Sequence, residues 1–260
     1  EEPFRAGPAI IHGQKYEDVA IAIYEMRNNV NIFEFGCLPH PSIPHFGASP
    51  DGICDKDSNN EDFIGRMLEI KCPTSRPITG FPPNYYFAQV QGQLEVCGLE
   101  YCDFLECKIT EYNNSDEYYQ DEGENDCYQK NGLEKGVLIE LWDINNKKSK
   151  YIYKDIGGTK DEIETWENEI INNSLNDPDL DYMATTYWKL KQYQCTLVKR
   201  DRDWFSLAKK DIDKFWEDVL KYRDNGLESL IEKNRPKKRI KLDNEKPHSS
   251  VNLKFLSDTD

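Results

Sequence analysis

The stretch from Phe46 to Pro73 constrains this chain more than any other. It reads Phe46-Gly47-Ala48-Ser49-Pro50-Asp51-Gly52, then a polar hairpin, then Met67-Leu68-Glu69-Ile70-Lys71-Cys72-Pro73. Side chains alternate faces along a strand, so Leu68 and Ile70 point one way and Glu69 and Lys71 the other. Two apolar residues feed a core while a carboxylate and an ammonium stand together on the opposite side. Asp51, delivered by the Ser-Pro-Asp-Gly bend, joins them if the two segments pair as a hairpin. Two carboxylates beside a lysine form a hard, oxygen-rich site for a divalent cation, with an ammonium to position water. Such a set of groups suits the cutting of phosphodiesters.

Neither half is specific alone. With 48 acidic residues among 260, acid-x-Lys triplets arise by chance, and Pro-Asp-Gly is also an ordinary turn. Glu106-Cys107-Lys108 repeats the triplet on another predicted strand, but it has no Pro-Asp-Gly partner at hairpin distance and is set aside as a decoy. The longer text is more telling. His12-Gly13-Gln14-Lys15-Tyr16-Glu17, Gly47 to Gly52, Leu68 to Pro73, and Tyr86-Phe87-Ala88-Gln89-Val90-Gln91 follow one another along the chain. In that order they resemble the motifs of the YqaJ-like viral recombinases, the family of phage lambda exonuclease within the PD-(D/E)xK nuclease superfamily. The resemblance covers residues 10–110 well and is weaker over Trp188 to Tyr222. There Val198-Lys199-Arg200-Asp201-Arg202-Asp203-Trp204-Phe205 resembles the segment before the family's last helix.

The resemblance implies an α/β fold with a restriction-endonuclease-like core, a mixed central β-sheet flanked by helices. It implies a Mg2+-dependent deoxyribonuclease, a 5′→3′ exonuclease on double-stranded DNA with free ends, acting in viral or phage-type recombination, replication or repair. Mn2+ would substitute for Mg2+. Carried onto matching positions, it makes Asp51 the bridging metal ligand, with Glu69 and the Ile70 carbonyl completing one metal and Glu17 helping a second. Lys71 would orient the attacking water or stabilise growing charge, Gln89 would hold water or phosphate in line, and Ser49, Tyr86 and Gln93 would contact DNA. A single-strand annealing protein and a ring-shaped homotrimer are the partners it suggests. Two alternatives remain open: a structure-specific endonuclease on the same scaffold, and a non-catalytic DNA-binding recombination scaffold. The family's upstream 5′-phosphate pocket has no match before Ile10, where Arg5 is the one basic residue. The expectation is therefore a fragment or processed chain, or an end-recognition device built differently.

A net charge of −15 weighs against nucleic acid in total, yet a nuclease needs only a locally positive groove. Much of the acid lies in Glu111 to Glu124, which predicts a solvated insertion loop near residues 111–135. No apolar run approaches the ~20 residues of a membrane span, and Glu1-Glu2-Pro3 opens no leader. Eight cysteines without paired CxxC spacing read as free thiols of a reducing compartment; Cys102 and Cys107 lack the further ligands a zinc site needs.

Helical spacing predicts a helix over Gln14 to Arg27, with His12 at its entrance and Glu17 inside the apolar arc. Asn31 to Cys37 and Phe46 to Ala48 read as short strands around a loop, Leu38 to His45. Pro82-Pro83 starts a second helix that Gly98 stops, with Gln89 and Gln93 one turn apart along an edge of its apolar stripe. Those amides suit a phosphate oxygen or a metal-bound water, or else simply face solvent. Tyr101 to Thr110, Gly136 to Ile144, Lys150 to Asp155 and Trp188 to Lys199 read as strands. Asp161 to Asn172 and Leu207 to Tyr222 read as helices.

These elements suggest a nuclease domain over residues 1–228 and a basic, flexible tail over 229–260. Within the tail, Lys237, Lys238, Arg239 and Lys241 resemble a nuclear-import signal, and Lys237, Lys238 and Arg239 also suit DNA contact. A destination in the host nucleus or a cytoplasmic viral factory follows.

Overall fold

Pro8 opens the first helix: its missing N–H lies where helical amides are unpaired anyway, and its fixed φ suits the first turn. The computed structural model describes residues 7–234, and in it α1 runs Pro8–Asn28. Asn29 ends the helix in the left-handed conformation, φ 55°, and returns its N–H to the Glu25 carbonyl. The helix thus starts well before Gln14, and His12 lies within it, not at its entrance.

The chain continues through β1 (Ile32–Phe33), β2 (Leu38–Pro39), β3 (Gly47–Ala48), β4 (Gly52–Cys54), β5 (Met67–Lys71) and α2 (Asn84–Cys97). Next come β6 (Tyr101–Glu111), α3 (Ser115–Gln120), β7 (Lys135–Asp143), β8 (Lys148–Tyr153), α4 (Lys160–Leu175), β9 (Leu180–Lys199), α5 (Arg202–Asn225) and α6 (Glu228–Lys233). Seven strands form one sheet in the order β1-β4-β5-β6-β9-β7-β8. β5 and β6 are parallel and the other neighbours antiparallel, so the sheet is mixed and flanked by helices, as expected. The parallel step needs a crossover, and α2 supplies it. Gly98 ends α2 at φ 66°, a conformation that favours glycine.

The sheet separates two apolar clusters. On one face Tyr16, Ala20, Ile23 and Tyr24 of α1 pack with Leu68, Ile70, Leu105 and Trp188. On the other, Val90 and Leu94 of α2 pack with Met67, Cys102, Phe104 and Val198. Cys102 and Cys107 fall in different clusters, and all eight cysteines are unpaired.

Four local expectations change. The strand over Asn31 to Cys37 shrinks to Ile32–Phe33, and the predicted loop contains β2, which pairs Leu38 with Ala48 and Pro39 with Gly47. β9 begins at Leu180 because its first half pairs with β7, Asp143 opposite Leu180. The acidic stretch is a loop only in part: residues 121–134 form no helix or regular strand, and Asp116, Glu122 and Glu124 are exposed, but its start is ordered. β6 runs through Glu111, and α3 buries Tyr118 against Tyr112, Val137 and Ile163. Asp121 accepts the Tyr112 hydroxyl at 2.8 Å and the Lys130 amide at 2.8 Å, while the Lys135 ammonium donates to the Tyr118 and Asp121 carbonyls. Aromatic burial outweighs the local acidity there.

The chain divides into two compact units, at Lys210 and Asp211. In the second, Phe215, Val219, Tyr222, Leu227 and Leu230 line one apolar groove. Residues 229–233, read as tail, are helical; 235–260 lie outside the described residues. No described helix is long and apolar enough to cross a membrane.

Candidate active site

β5 turns Leu68 and Ile70 into the α1 cluster and Met67 into the α2 cluster, so Glu69 and Lys71 stand on the α2 side. Glu69 is fully buried. One of its oxygens accepts the Lys71 ammonium and the Gln89 amide, the latter at 2.7 Å. The other accepts Gln93 Nε2 at 2.7 Å. Gln93 is itself buried and also donates to the Ser49 carbonyl at 3.1 Å, tying α2 to the bend that carries Asp51. Gln93 therefore does not face solvent, and the described contact of Ser49 is through its backbone.

β4 pairs with β5, Gly52 opposite Leu68, so the hairpin geometry holds. Only glycine fits at position 52, since a Cβ there would collide with the Ile32 side chain. Asp51 accepts the Ile70 amide on Oδ2 at 2.6 Å. Burial raises its carboxyl, Glu69 and Glu17 push the same way, and the Ile70 N–H and Lys71 oppose them; the result is a pKa of about 7. Glu17 is half-buried, and its carboxyl is also raised, by burial and then by Asp18. Burial disfavours the Lys71 ammonium, but Glu69 and Asp51 outweigh it and raise its pKa.

Glu17, Ile70 and Lys71 line a cleft of about 520 Å³ that Gly13, Arg76 and Tyr86 also border. The Lys71 ammonium lies 4.8 Å from the Tyr86 ring centre and the Arg76 guanidinium 5.6 Å from it. His12 packs its ring 4.7 Å from Tyr16, and burial lowers its pKa. Lys237, Lys238, Arg239 and Lys241 lie outside the described residues.

The donor chemistry of Asp51, Glu69 and Glu17 fits a hard divalent cation, and the burial and carboxylate repulsion that raise Asp51 are of the kind a cation offsets. The arrangement is not a ready-made cage. Among the described residues no three His, Cys, Asp or Glu side chains converge to hold a metal, and both Glu69 oxygens are engaged by nitrogen donors.

Two residues of this region escaped the sequence reading. In the parallel ladder Lys71 stands opposite Glu106, so the supposed decoy neighbours Lys71 on the same sheet face. Glu106 is fully buried and accepts Arg76 Nη2 at 2.5 Å. Arg76, four residues beyond Cys72 on the loop leaving β5, was visible in sequence only as a basic residue near the motif.

The fold and these side chains define an α/β protein with a carboxylate–lysine–amide centre whose Lys71 borders a cleft. Residues 1–100, the stretch that holds the four motifs, match the YqaJ-like viral recombinase domain. An uncharacterized protein of Acanthamoeba polyphaga mimivirus is 38% identical over 284 residues, covering 98% of this chain and 51% of that protein. The chain thus spans about half the length of this curated relative. Among solved structures, an alkaline exonuclease of Laribacter hongkongensis, LHK-Exo, is similar with 20% identity and a TM-score of 0.45, over 87% of this chain and 77% of that one. Its complex with dAMP gives 20% identity and a TM-score of 0.46, over 88% and 75%.

Proposed function

We propose that this chain is a divalent-metal-dependent deoxyribonuclease that digests double-stranded DNA exonucleolytically from 5′ ends, in viral-type recombination, replication or repair. One observation carries the reading: Lys71, Gln89 and Gln93 all donate to Glu69, and the Ile70 amide between Glu69 and Lys71 holds the Asp51 carboxylate beside them. The match of residues 1–100 to a viral recombinase domain supports it. Asp51, Glu69, the Ile70 carbonyl and Glu17 would hold Mg2+, or Mn2+ in its place. When bound, the cation would activate water and neutralise charge on the leaving oxygen.

The chain's own groups divide the remaining work. The Ile70 amide fixes the Asp51 carboxylate. Lys71, kept charged by Glu69 and Asp51, would donate its N–H to phosphoryl oxygen as negative charge develops there. The Gln89 amide, exposed on α2 yet bound to Glu69, would keep water or phosphate in line. The Tyr86 ring would exclude solvent from one side of Lys71. A single-strand annealing partner, a ring trimer, and delivery to a host nucleus or viral factory belong to the same proposal.

The engagement of both Glu69 oxygens by nitrogen donors favours a second reading, a DNA-binding scaffold without catalysis. Linear duplex DNA labelled separately at its 5′ and 3′ ends, with Mg2+ and with EDTA, tests both. Mg2+-dependent loss of label beginning at the 5′ ends is expected. Cleavage of closed circular DNA at an equal rate would make the protein an endonuclease, and binding without cleavage would make it a scaffold.

A further inference from the structure

We propose that Glu106 is a positioning residue that fixes the Arg76 guanidinium over the cleft, where its free N–H groups meet a backbone phosphate of the nucleic acid. The inference rests on the nucleic-acid reading above. Glu106 is fully buried, and its Oε2 has no hydrogen-bond partner, so the carboxylate depends on Arg76 for compensation. A buried carboxylate that loses its ion-pair partner is strongly disfavoured, which makes the pair a tether.

Further contacts restrain the guanidinium. Nη1 donates to the Pro77 carbonyl at 3.2 Å, and the group lies over the Tyr86 ring. An arginine carries five N–H donors in a rigid fork, and the bonds to Glu106 and Pro77 use two of them. The side chain remains 26% exposed, and the residue borders the same cleft as Lys71 and Glu17. Lys71 is bound to Glu69 beside the reacting centre, whereas Arg76 keeps donors for a neighbouring phosphate. A planar fork held at a fixed place is the arrangement that reads phosphate oxygens bidentately.

The test is a double-mutant cycle on binding of a short fluorescein-labelled DNA duplex, measured in EDTA and in Ca2+, with cleavage in Mg2+ followed in parallel. Glu106→Gln is expected to weaken binding about tenfold, the size of one charge-assisted contact, and to reduce the salt slope by about one counterion. In cleavage it should raise KM more than it lowers kcat. In an Arg76→Gln background the same change should add little. Arg76→Lys, which leaves a cation for Glu106 and so protects the fold, should also bind about tenfold more weakly because an ammonium lacks the fork. Additive losses, or wild-type binding by Glu106→Gln or Arg76→Lys, would overturn the inference and leave an ordinary structural ion pair. Failure of the wild-type protein to bind duplex DNA would instead overturn the nucleic-acid reading, and this inference with it.

Discussion

Asp51 accepts the backbone amide of Ile70 at 2.6 Å, and so the loop-borne acid is anchored to the residue between Glu69 and Lys71. The two halves of the motif are coupled by main chain, not merely placed side by side. Movement of β5 therefore moves the Asp51 carboxylate with it, and the site's integrity depends on the β4–β5 pairing.

That dependence makes Gly52 a sensitive position. Gly52→Ala drives a methyl into Ile32 and should destabilise the protein by about 1–3 kcal/mol, the usual cost of overpacking, while lowering activity through Asp51. Adding Ile32→Ala should recover much of both losses. Urea unfolding midpoints and cleavage rates of the single and double variants check this, and an additive double variant would contradict it.

Gln93 and Gln89 both bind Glu69, yet their removal should differ. Gln93→Ala leaves a buried Glu69 oxygen without its donor and should cost roughly 1–3 kcal/mol of stability. Gln89→Ala leaves the other oxygen with Lys71, so stability should change little while cleavage slows. Chemical denaturation distinguishes them; equal stability losses would be inconsistent with this geometry.

The raised carboxyl of Asp51 predicts opposite pH trends for stability and cation binding. In cation-free buffer the folded chain keeps this proton up to a pH of about 7, whereas an ordinary unfolded Asp releases it near 3.9. More protons are bound in the native state over that range, so the contribution of Asp51 to stability falls as pH rises through it. Cation binding needs the ionised form, so Mg2+ and the Asp51 proton compete, and Mg2+ should bind more weakly as pH falls below about 7. Mg2+ should accordingly raise Tm more at about pH 8 than at about pH 6, and Asp51→Asn should remove the difference. An equal Mg2+ effect at both pH values would contradict the assignment.

The role of Lys71 is separable from simple phosphate attraction. If it stabilises charge that appears only in the transition state, Lys71→Ala should lower the single-turnover rate far more than it weakens binding in Ca2+. Weakened binding with an unchanged single-turnover rate would make it a tracking cation.

Local signals made much of this architecture legible in sequence. Pro82-Pro83 and Gly98 bracket α2 because one cannot continue a helix backwards and the other tolerates left-handed backbone. Strand alternation separates Leu68 and Ile70 from Glu69 and Lys71, and the observed core divides the same way. What escaped depends on contacts between distant segments. The first half of β9 is a strand because β7 lies beside it, and α3 is ordered because Tyr118 finds Tyr112 and Ile163. Glu106 looked like a decoy because nothing local shows that β6 runs parallel to β5, which sets Glu106 beside Lys71.

Asp51→Asn provides the most direct test of the central claim, that the Asp51–Glu69–Lys71 cluster is a metal-dependent cleavage centre. Purified wild-type and Asp51→Asn proteins would be compared on end-labelled linear duplex DNA under single-turnover conditions, in Mg2+ and in EDTA, with folding checked by thermal unfolding. The account predicts Mg2+-dependent cleavage by the wild type and a loss on the order of 10³-fold or more in the folded variant, the several kcal/mol a cooperative metal ligand contributes. Near-wild-type cleavage by Asp51→Asn, or undiminished wild-type cleavage in EDTA, would contradict it.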